Sequence, residues 1–267
     1  MTVISSTENR TVRQAASLNE KKYRDRLGLF LLEGPNLVRE AMQQGNRVRF
    51  IFTLAGAADA ETAELAEKAE EAGLAVYELT GDVFAKVTRT QTPQSLAAAA
   101  EKRQYEAREF FERAKGGNVL VLDRLQDPGN VGTLIRTADA MGFSGVMMIK
   151  GTADPWQPTA VRAAAGSLLR LPILLCEDAE QALKLLAAAG KTAYTADMAG
   201  QLDCWDAPIS ENSAVVIGNE GSGAGPELKA AATLLRIPMA GGNESLNAAA
   251  AGAMIMYEAL RQKGRKE

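Results

Sequence analysis

Three short stretches of the chain place polar side chains among glycines, and each follows or contains an apolar run. The first, DPGNVGTLIRTADAMGF at 127–143, has Asn130 and Arg136; the second, IGNEGSGAGPE at 217–227, has Glu220. The third, IPMAGGNESLNAAAAGAMIMYEAL at 237–260, has Ser245 and Asn247. Arginine and asparagine suit a phosphate or a ribose, and glycine-lined backbone can approach an adenine or a carboxylate closely.

The same polar residues also have plain structural interpretations. Asp127-Pro128-Gly129 is typical of a turn, so Asn130 could be a helix cap and Arg136 a solvated side chain. Glu220 could be a turn residue, and Ser245 is a candidate N-cap of the last helix. The glycine stretch matches neither the dinucleotide-binding GxGxxG motif nor the phosphate-binding P-loop, so nucleoside triphosphate binding has weak support.

Composition narrows the function classes. The 267 residues are 46% hydrophobic and 24% charged, which is ordinary for a globular protein. The chain has no histidine, which argues against zinc hydrolases and Ser-His-Asp hydrolases, and we expect no metal. No stretch predicts a signal peptide or a membrane span, so the expected location is the cytoplasm without membrane association. Cys176 and Cys204 are distant in sequence and are expected to be buried free thiols.

Charge is unevenly distributed along the chain. Residues 1–50 carry nine Lys or Arg and five Asp or Glu, whereas the net charge of the whole chain is −3. A basic leader on an acidic body favours a polyanion-binding end, although a solvated helix face explains the charge equally well. The basic residues expected to contact RNA are Arg10, Arg13, Lys21, Lys22, Arg24 and Arg26.

The elements that must position the polar residues fall into two parts. A charged segment at 101–117 ends in Gly116-Gly117 and predicts a linker helix between domains at 1–100 and 118–267. The first part predicts mixed structure, with helices at 9–25, 36–45 and 60–72 and strands at 27–34, 48–54 and 74–80. Alanine runs are interpreted as helical throughout the chain.

The second part alternates more regularly. Short, continuous apolar runs predict strands at 118–123, 145–150, 170–175, 191–196, 213–218 and 234–239. Helical patterns lie at 131–141, 158–165, 179–189, 226–232 and 246–263. This alternation predicts an α/β fold with a mostly parallel sheet. Because ligands bind at the carboxyl ends of such strands, the three polar stretches are expected to meet at one edge.

The three stretches resemble, in order and spacing, the motifs of the SpoU/TrmH branch of the SPOUT RNA methyltransferases. The likeness lies in NVGTLIRTADAMGF, VVIGNEGSGAGPEL and the third stretch, and it spans residues 118–260. EKKYRDRLGLFLLEGPNLVREAM and VTRTQTPQ resemble more loosely the family's small N-terminal RNA-recognition domain, a ribosomal-protein-like α/β fold. The resemblance implies a C-terminal SPOUT domain with a deep trefoil knot, although general rules of topology disfavour knots. It also implies S-adenosylmethionine as cofactor, and a homodimer with the active site at the subunit interface.

The reaction implied by the resemblance is methyl transfer to a ribose 2′-hydroxyl of RNA. By position, the motifs assign catalytic or orienting roles to Asn130, Arg136, Glu220, Ser245 and Asn247. They assign cofactor contacts to Gly218, Asn219, Gly221, Ile237, Met239, Ser245, Leu246 and Asn247. Two roles for Arg136 stay open: it takes the hydroxyl proton, or it anchors the phosphate and polarises the hydroxyl, since a neutral guanidinium is costly at pH 7.

Alternatives of three kinds stay open at this level. The separate N-terminal domain favours ribosomal RNA as substrate over transfer RNA. A non-catalytic RNA-binding protein of the same fold would bind RNA without methyl transfer. A nucleotide-binding metabolic enzyme would bind ATP and not S-adenosylmethionine.

Overall fold

The structure is a computed structural model that describes residues 2–45, 47–56, 59–90, 94–241 and 245–264. It divides into two compact units, Met1–Lys102 with Trp156–Leu169, and Arg103–Pro155 with Arg170–Glu267. The domain boundaries derived from the sequence stay predictions. The compact units differ from those boundaries because Trp156–Leu169 belongs to the first unit. Of the linker helix expected at 101–117, only Ala107–Arg113 is helical.

The first unit is a five-stranded mixed sheet with helices. Its elements are β1 (Thr2–Ile4), α1 (Arg10–Ser17), α2 (Lys21–Leu27), β2 (Leu29–Glu33), α3 (Pro35–Gln43), β3 (Val48–Leu54), α4 (Ala60–Glu71), β4 (Ala75–Leu79), α5 (Gly81–Thr88) and β5 (Leu96–Glu101). The strand order is β1-β4-β3-β5-β2, and β5 runs antiparallel to both of its neighbours. A later helix, α8 (Pro158–Ala164), belongs to this unit.

Two predictions for the first unit are corrected. The alanine run at 97–100 forms the interior strand β5 rather than a helix, and all four alanines are at most 1% exposed. β5 pairs with β2 on one side and β3 on the other, and both of its faces are buried. This burial outweighs the helix propensity of alanine. The single helix expected at 9–25 is two helices, because the Asn19 side chain donates to the carbonyls of Ala16 and Val87 where α1 ends.

The second unit contains a seven-stranded parallel sheet. Its elements are α6 (Ala107–Arg113), β6 (Val119–Asp123), α7 (Pro128–Ala140), β7 (Gly145–Ile149), β8 (Ile173–Cys176), α10 (Ala179–Ala188), β9 (Thr192–Ala196), β10 (Leu202–Asp203), β11 (Ser213–Ile217), α11 (Pro226–Ala231), β12 (Thr233–Arg236) and α12 (Ala248–Gly264). The short helix α9 (Ser167–Arg170) leads into β8. The expected α/β fold with parallel pairing is confirmed, and every strand pairing described here is parallel.

The order of the second sheet creates a crevice at its carboxyl edge. The order is β10-β12-β9-β11-β6-β7-β8, so the chain moves outward from β6 to β8 and then crosses to the other side of β11. Ligands of open α/β sheets bind at such a reversal. The segments that follow β6, β11 and β12 are the three polar stretches of the sequence. The helix α12 packs against α7 and β11 beside them.

Candidate active site

The loop after β6 is shaped by an aspartate that caps the next helix. The Asp127 carboxylate accepts a hydrogen bond from the backbone N–H of Asn130 at 2.7 Å, and Pro128 is the first residue of α7. Asp127 is therefore the N-cap, and Asn130 lies in the first turn of the helix. The capping role considered for Asn130 is wrong, and the Asn130 side chain is available for other contacts.

Glu220 joins the glycine stretch to this loop. Its carboxylate accepts hydrogen bonds from the backbone N–H groups of Gln126 at 3.1 Å and Asp127 at 3.2 Å, and from Nδ2 of Asn130 at 3.1 Å. Partial burial raises the pKa of Glu220, but these hydrogen bonds lower the pKa by more, so the net shift is downward. Glu220 is thus an ionised organiser of two loops and a poor candidate for a general base at neutral pH.

The glycine stretch folds into a tight hairpin-like turn. Backbone hydrogen bonds link Asn219 and Gly223 in both directions, and the Asn219 Oδ1 accepts the N–H groups of Gly221 and Ser222, both at 3.0 Å. Gly218 has no room for a side chain, since an added Cβ would lie 2.0 Å from the backbone nitrogen of Ala224. Close backbone packing therefore requires glycine at this position.

The third stretch meets the first through Asn247. Its Nδ2 donates to Oδ1 of Asn130 at 3.1 Å, while its Oδ1 accepts the N–H groups of Ala249 at 2.9 Å and Ala250 at 3.2 Å. The prediction of Ser245 as N-cap is wrong: Asn247 caps α12, which begins at Ala248 and not at Leu246. A continuous chain of side chains, Glu220–Asn130–Asn247, now connects all three stretches.

A cleft of about 640 Å³ opens beside this chain, and its size lies in the range of small-molecule sites. Seven of the eight expected cofactor residues line it, namely Gly218, Asn219, Gly221, Ile237, Met239, Ser245 and Leu246. Asn247 is absent from the lining. Glycine backbone beside apolar side chains such as Ile217 and Leu246 fits a flat aromatic ring carrying polar edges, as in adenosine.

Sequence reasoning missed one wall of the cleft. Ala196 ends β9, Asp197 and Met198 follow it, and all three line the cleft together with Lys229 of α11. The Lys229 Nζ lies 2.7 Å from the Asp197 carboxylate, whose pKa is lowered first by this hydrogen bond. The available signal was an aspartate directly after the strand pattern KTAYTA, which ends at the same sheet edge as the three stretches.

Arg136 is set apart from the hydrogen-bonded chain. It is exposed on α7 and has no ion pair or hydrogen bond with the part of the protein that the structure describes. Its guanidinium is free to bind an anionic ligand. The geometry thus brings Asn130, Glu220 and Asn247 together, while Ser245 lies on the cleft wall and Arg136 on the exposed helix surface.

The basic residues expected to contact RNA divide into two kinds. Arg10, Arg13, Lys21, Lys22 and Arg26 are exposed on α1 and α2. Arg24 is 3% exposed and donates to the carbonyl of Leu18 at 2.8 Å, so its expected contact with RNA is corrected to a structural role. It satisfies a free carbonyl at the end of α1.

The described residues include many acidic side chains and two cysteines. They contain no group of three or more His, Cys, Asp or Glu side chains placed to hold a metal ion. Cys176 and Cys204 are buried free thiols, as predicted, and burial is the first cause that raises the pKa of the Cys176 thiol to about 11. No helix in the described ranges is long and apolar enough to cross a membrane.

Comparisons with known proteins cover nearly the whole chain. The model of the SpoU rRNA Methylase family matches residues 117–257, and that of an MRM3-like substrate binding domain matches residues 9–98. The 23S rRNA (guanosine(2553)-2′-O)-methyltransferase RlmP of Bacillus subtilis is 34% identical over 96% of this chain and 98% of its own length. The 23S rRNA (uridine(2479)-2′-O)-methyltransferase of Streptomyces viridochromogenes is 30% identical over 97% of this chain and 92% of its own.

A solved structure is similar in both units. The AdoMet-bound rRNA methyltransferase from Sinorhizobium meliloti superposes with a TM-score of 0.88 at 33% identity and covers 97% of each chain. The polar residues of the three stretches, from Asn130 to Asn247, lie within the range that the SpoU model matches, and the cleft lies among the stretches. This chain belongs to the SpoU rRNA methylase family.

Proposed function

We propose that this protein transfers a methyl group from S-adenosylmethionine to a ribose 2′-hydroxyl of ribosomal RNA. The proposal rests on the hydrogen-bonded side chains of Glu220, Asn130 and Asn247, which join the three polar stretches beside the cleft. Family membership supplies the reaction class. The relatives named above act on ribosomal RNA at a ribose 2′-oxygen, at a guanosine in one case and a uridine in the other.

The residues that would hold the cofactor are those of the glycine stretch and the third stretch. Ile237, Met239 and Leu246 provide apolar contacts, and the backbone from Gly218 to Gly221 provides polar groups at the cleft. When bound, S-adenosylmethionine supplies an electrophilic methyl group. The residues of this chain must then bring a ribose hydroxyl into line with that methyl group and stabilise the charge that develops on the oxygen.

Arg136 is the proposed anchor for the RNA. Its exposed guanidinium can bind a phosphate through two hydrogen bonds and polarise the adjacent 2′-hydroxyl. A guanidinium loses its proton only above about pH 12, so we favour anchoring over proton removal. Asn130 and Asn247 hold the loops, and Ser245 lies on the cleft wall, where it can contact the ribose or the cofactor.

Ribosomal RNA is favoured over transfer RNA because of the first unit. The match to a substrate binding domain at residues 9–98 accounts for a part of the chain that the catalytic motifs do not need. The five exposed basic residues of α1 and α2 make this unit the proposed RNA-recognition domain. A ribosomal RNA substrate supports a cytoplasmic location, which is part of this proposal.

Two further features of the family are proposed for this chain. The return of α12 from the β12 side of the sheet to pack on α7 and β11 fits the expected deep trefoil knot. The exposed Met254, Tyr257 and Leu260 on α12 support a homodimer that joins two such helices and completes the active site.

A methyl-transfer assay tests the proposed function. Purified protein is incubated with radiolabelled S-adenosylmethionine and, separately, with ribosomal RNA and transfer RNA lacking modifications. We expect the label from ribosomal RNA to appear in dinucleotides after alkaline hydrolysis, because a 2′-O-methyl group blocks cleavage of the next phosphodiester. Label on a base would contradict the proposed site of methylation. RNA binding without transfer would indicate a non-catalytic protein. Ribose-methylation mapping in a deletion strain identifies the nucleotide.

Substitution of Arg136 tests its role. Arg136→Lys keeps a cation but loses the two-pronged contact, so we expect kcat to fall by roughly 10- to 100-fold, with a nearly constant ratio to wild type between pH 7 and 9.5. If Arg136 were the base, kcat of both proteins would rise about tenfold per pH unit in this range, and the lysine variant would level off near pH 10.4 while wild type continued to rise. An arginine that only anchors the phosphate predicts no such rise. Near-full activity of Arg136→Lys would contradict both roles.

A further inference from the structure

We propose that Arg124, which lies in none of the positions assigned above, is a positioning residue that clamps the glycine stretch 218–225 for cofactor binding. This inference rests on the proposed use of S-adenosylmethionine. Arg124 directly follows β6 and is not among the residues that line the cleft. It acts through the glycine stretch, six residues of which, Gly218 to Gly223, line the cleft.

The Arg124 side chain holds the far end of the glycine stretch. Its Nε and Nη2 each lie 3.0 Å from one oxygen of Asp123, whose side chain is 2% exposed. The same carboxylate accepts the backbone N–H of Gly225 at 2.7 Å, and the Arg124 Nη2 lies 3.5 Å from the carbonyl of Gly223. A buried carboxylate needs such a cation, because an unpaired charge in the interior is strongly unfavourable.

The Arg124 backbone holds the near end of the same stretch. Its carbonyl accepts a hydrogen bond from Nδ2 of Asn219 at 2.9 Å, and its N–H donates to Oγ1 of Thr152 at 2.9 Å. Asn219 is also the residue that closes the turn on Gly221 and Ser222. One residue therefore fixes the position of the turn at both ends.

The backbone conformation of Arg124 indicates that its side chain is required there. Arg124 has a φ of 57°, in the left-handed region that favours glycine. Glycine would adopt this conformation without strain, but it would leave the Asp123 carboxylate without its cation. The aliphatic part of Arg124 also packs against Gly151, where an added Cβ would lie 3.1 Å from the Arg124 Cγ. Strain of this kind persists only where surrounding contacts offset it.

Three variants separate the clamp from other roles. Arg124→Gln removes the cation, and Arg124→Lys keeps the charge but cannot bond both oxygens of Asp123. The control, Arg108→Gln, removes an exposed arginine of the same unit that pairs with Glu112. We measure the Kd for S-adenosylmethionine by calorimetry, and amide hydrogen exchange of Gly225 and Asn219 without ligand. For Arg124→Gln we expect about a tenfold rise in Kd and about a tenfold faster exchange at Gly225, each tenfold corresponding to one charge-assisted hydrogen bond.

The outcomes distinguish this inference from the proposed function. Arg124→Lys should fall between wild type and Arg124→Gln, and Arg108→Gln should match wild type. Absence of S-adenosylmethionine binding by wild type would sink the proposed function, while the exchange rates would still test the clamp. Unchanged Kd and exchange in Arg124→Gln would overturn the clamp. A loss of RNA affinity alone would also overturn it and make Arg124 an RNA contact. If Arg124→Gln does not fold, the same comparison is made with Arg124→Lys.

Discussion

The asparagine at position 130 is the central residue of the site because its side chain uses both of its functions. The NH2 group donates to Glu220, and the carbonyl oxygen accepts from Asn247. An aspartate of the same shape would place a second negative charge against Glu220, and a leucine would remove the one hydrogen bond that each partner forms with residue 130. The chemistry of this position therefore requires an amide, whereas a role as helix cap alone would also accept serine or aspartate.

The ionised carboxylate of Glu220 makes the stability of the fold depend on pH. Its folded-state pKa is lowered, so its contribution to stability is complete above the unfolded-state pKa of about 4.3 and is lost as the pH falls through the folded-state pKa. We expect Glu220→Gln to melt about 2–4 °C below wild type at pH 6, because one charged hydrogen-bond acceptor is lost. The difference should narrow below about pH 4.

Thermal melts of both proteins between pH 3 and pH 7 check this prediction. Asp206→Asn, which alters a carboxylate in an exposed loop of the same unit, serves as the control for general acid effects. A difference between wild type and Glu220→Gln that widens toward low pH would mean that the protonated form of Glu220 stabilises the fold.

At the scale of elements, patterns of apolar residues predicted the second unit well. Strands at 118–123 and 213–218 were continuous apolar runs, and the structure has β6 and β11 at those positions. The polar stretches at their ends could therefore be placed at one sheet edge. The hydrogen bonds between stretches could not be predicted, because they join residues up to 117 positions apart.

The failures have physical causes that sequence patterns do not contain. Alanine favours helix locally, so only the antiparallel partners β2 and β3 identify residues 97–100 as a strand. Both Ser245 and Asn247 can cap a helix, and the choice of Asn247 depends on where α12 begins and on contact with Asn130. Arg24 is buried because the break between α1 and α2 leaves the Leu18 carbonyl for it to bind.

The start of α12 gives a prediction with two separable effects. Asn247→Ala removes both the cap and the contact with Asn130, so we expect a loss of about 1 kcal/mol in the free energy of unfolding together with a fall in kcat. Asn247→Ser keeps a capping oxygen but is too short to reach Asn130. We expect it to restore stability and not activity.

Urea denaturation and single-turnover methyl transfer measure the two effects. Asp178→Ala removes a similar cap from α10, away from the cleft, and is the matched control for a lost cap alone. Full activity in Asn247→Ser would show that the link to Asn130 does not contribute to the reaction.

For the whole molecule, the distribution of charge predicts how the first unit binds RNA. Lys22 and Arg26 are exposed on α2, and Arg26 lies 4.8 Å above the ring of Tyr23, a pair that can meet phosphate and base together. Each phosphate contact releases counterions, so affinity falls as salt rises. Loss of one contact makes the negative slope of log affinity against log salt less steep by about 0.7–0.9. We expect Lys22→Ala with Arg26→Ala to make this slope less steep by about 1.5.

Filter binding between 50 and 300 mM salt measures this slope, and Lys184→Ala, an exposed lysine on α10 of the second unit, is the control. The second unit should still bind S-adenosylmethionine normally in the double variant. An unchanged slope would remove α2 from the RNA-contacting surface and leave the exposed arginines of α1 as the candidates.

An exposed apolar stripe on α12 favours self-association of the chain. Met254, Tyr257 and Leu260 are 48%, 59% and 41% exposed and recur at a spacing of three residues, which forms one apolar stripe on the helix. Apolar side chains of this size rarely stay exposed together on a monomer, so we expect a dimer in sedimentation equilibrium.

Tyr257→Glu with Leu260→Glu should give a monomer, because two charges would be buried at the interface. Leu175→Glu, at a residue 45% exposed on β8, is the matched control and should stay dimeric. If the active site is shared between subunits, the monomeric variant loses methyl transfer while its circular dichroism spectrum stays that of the folded wild type. A fully active monomer would show that one chain contains a complete site.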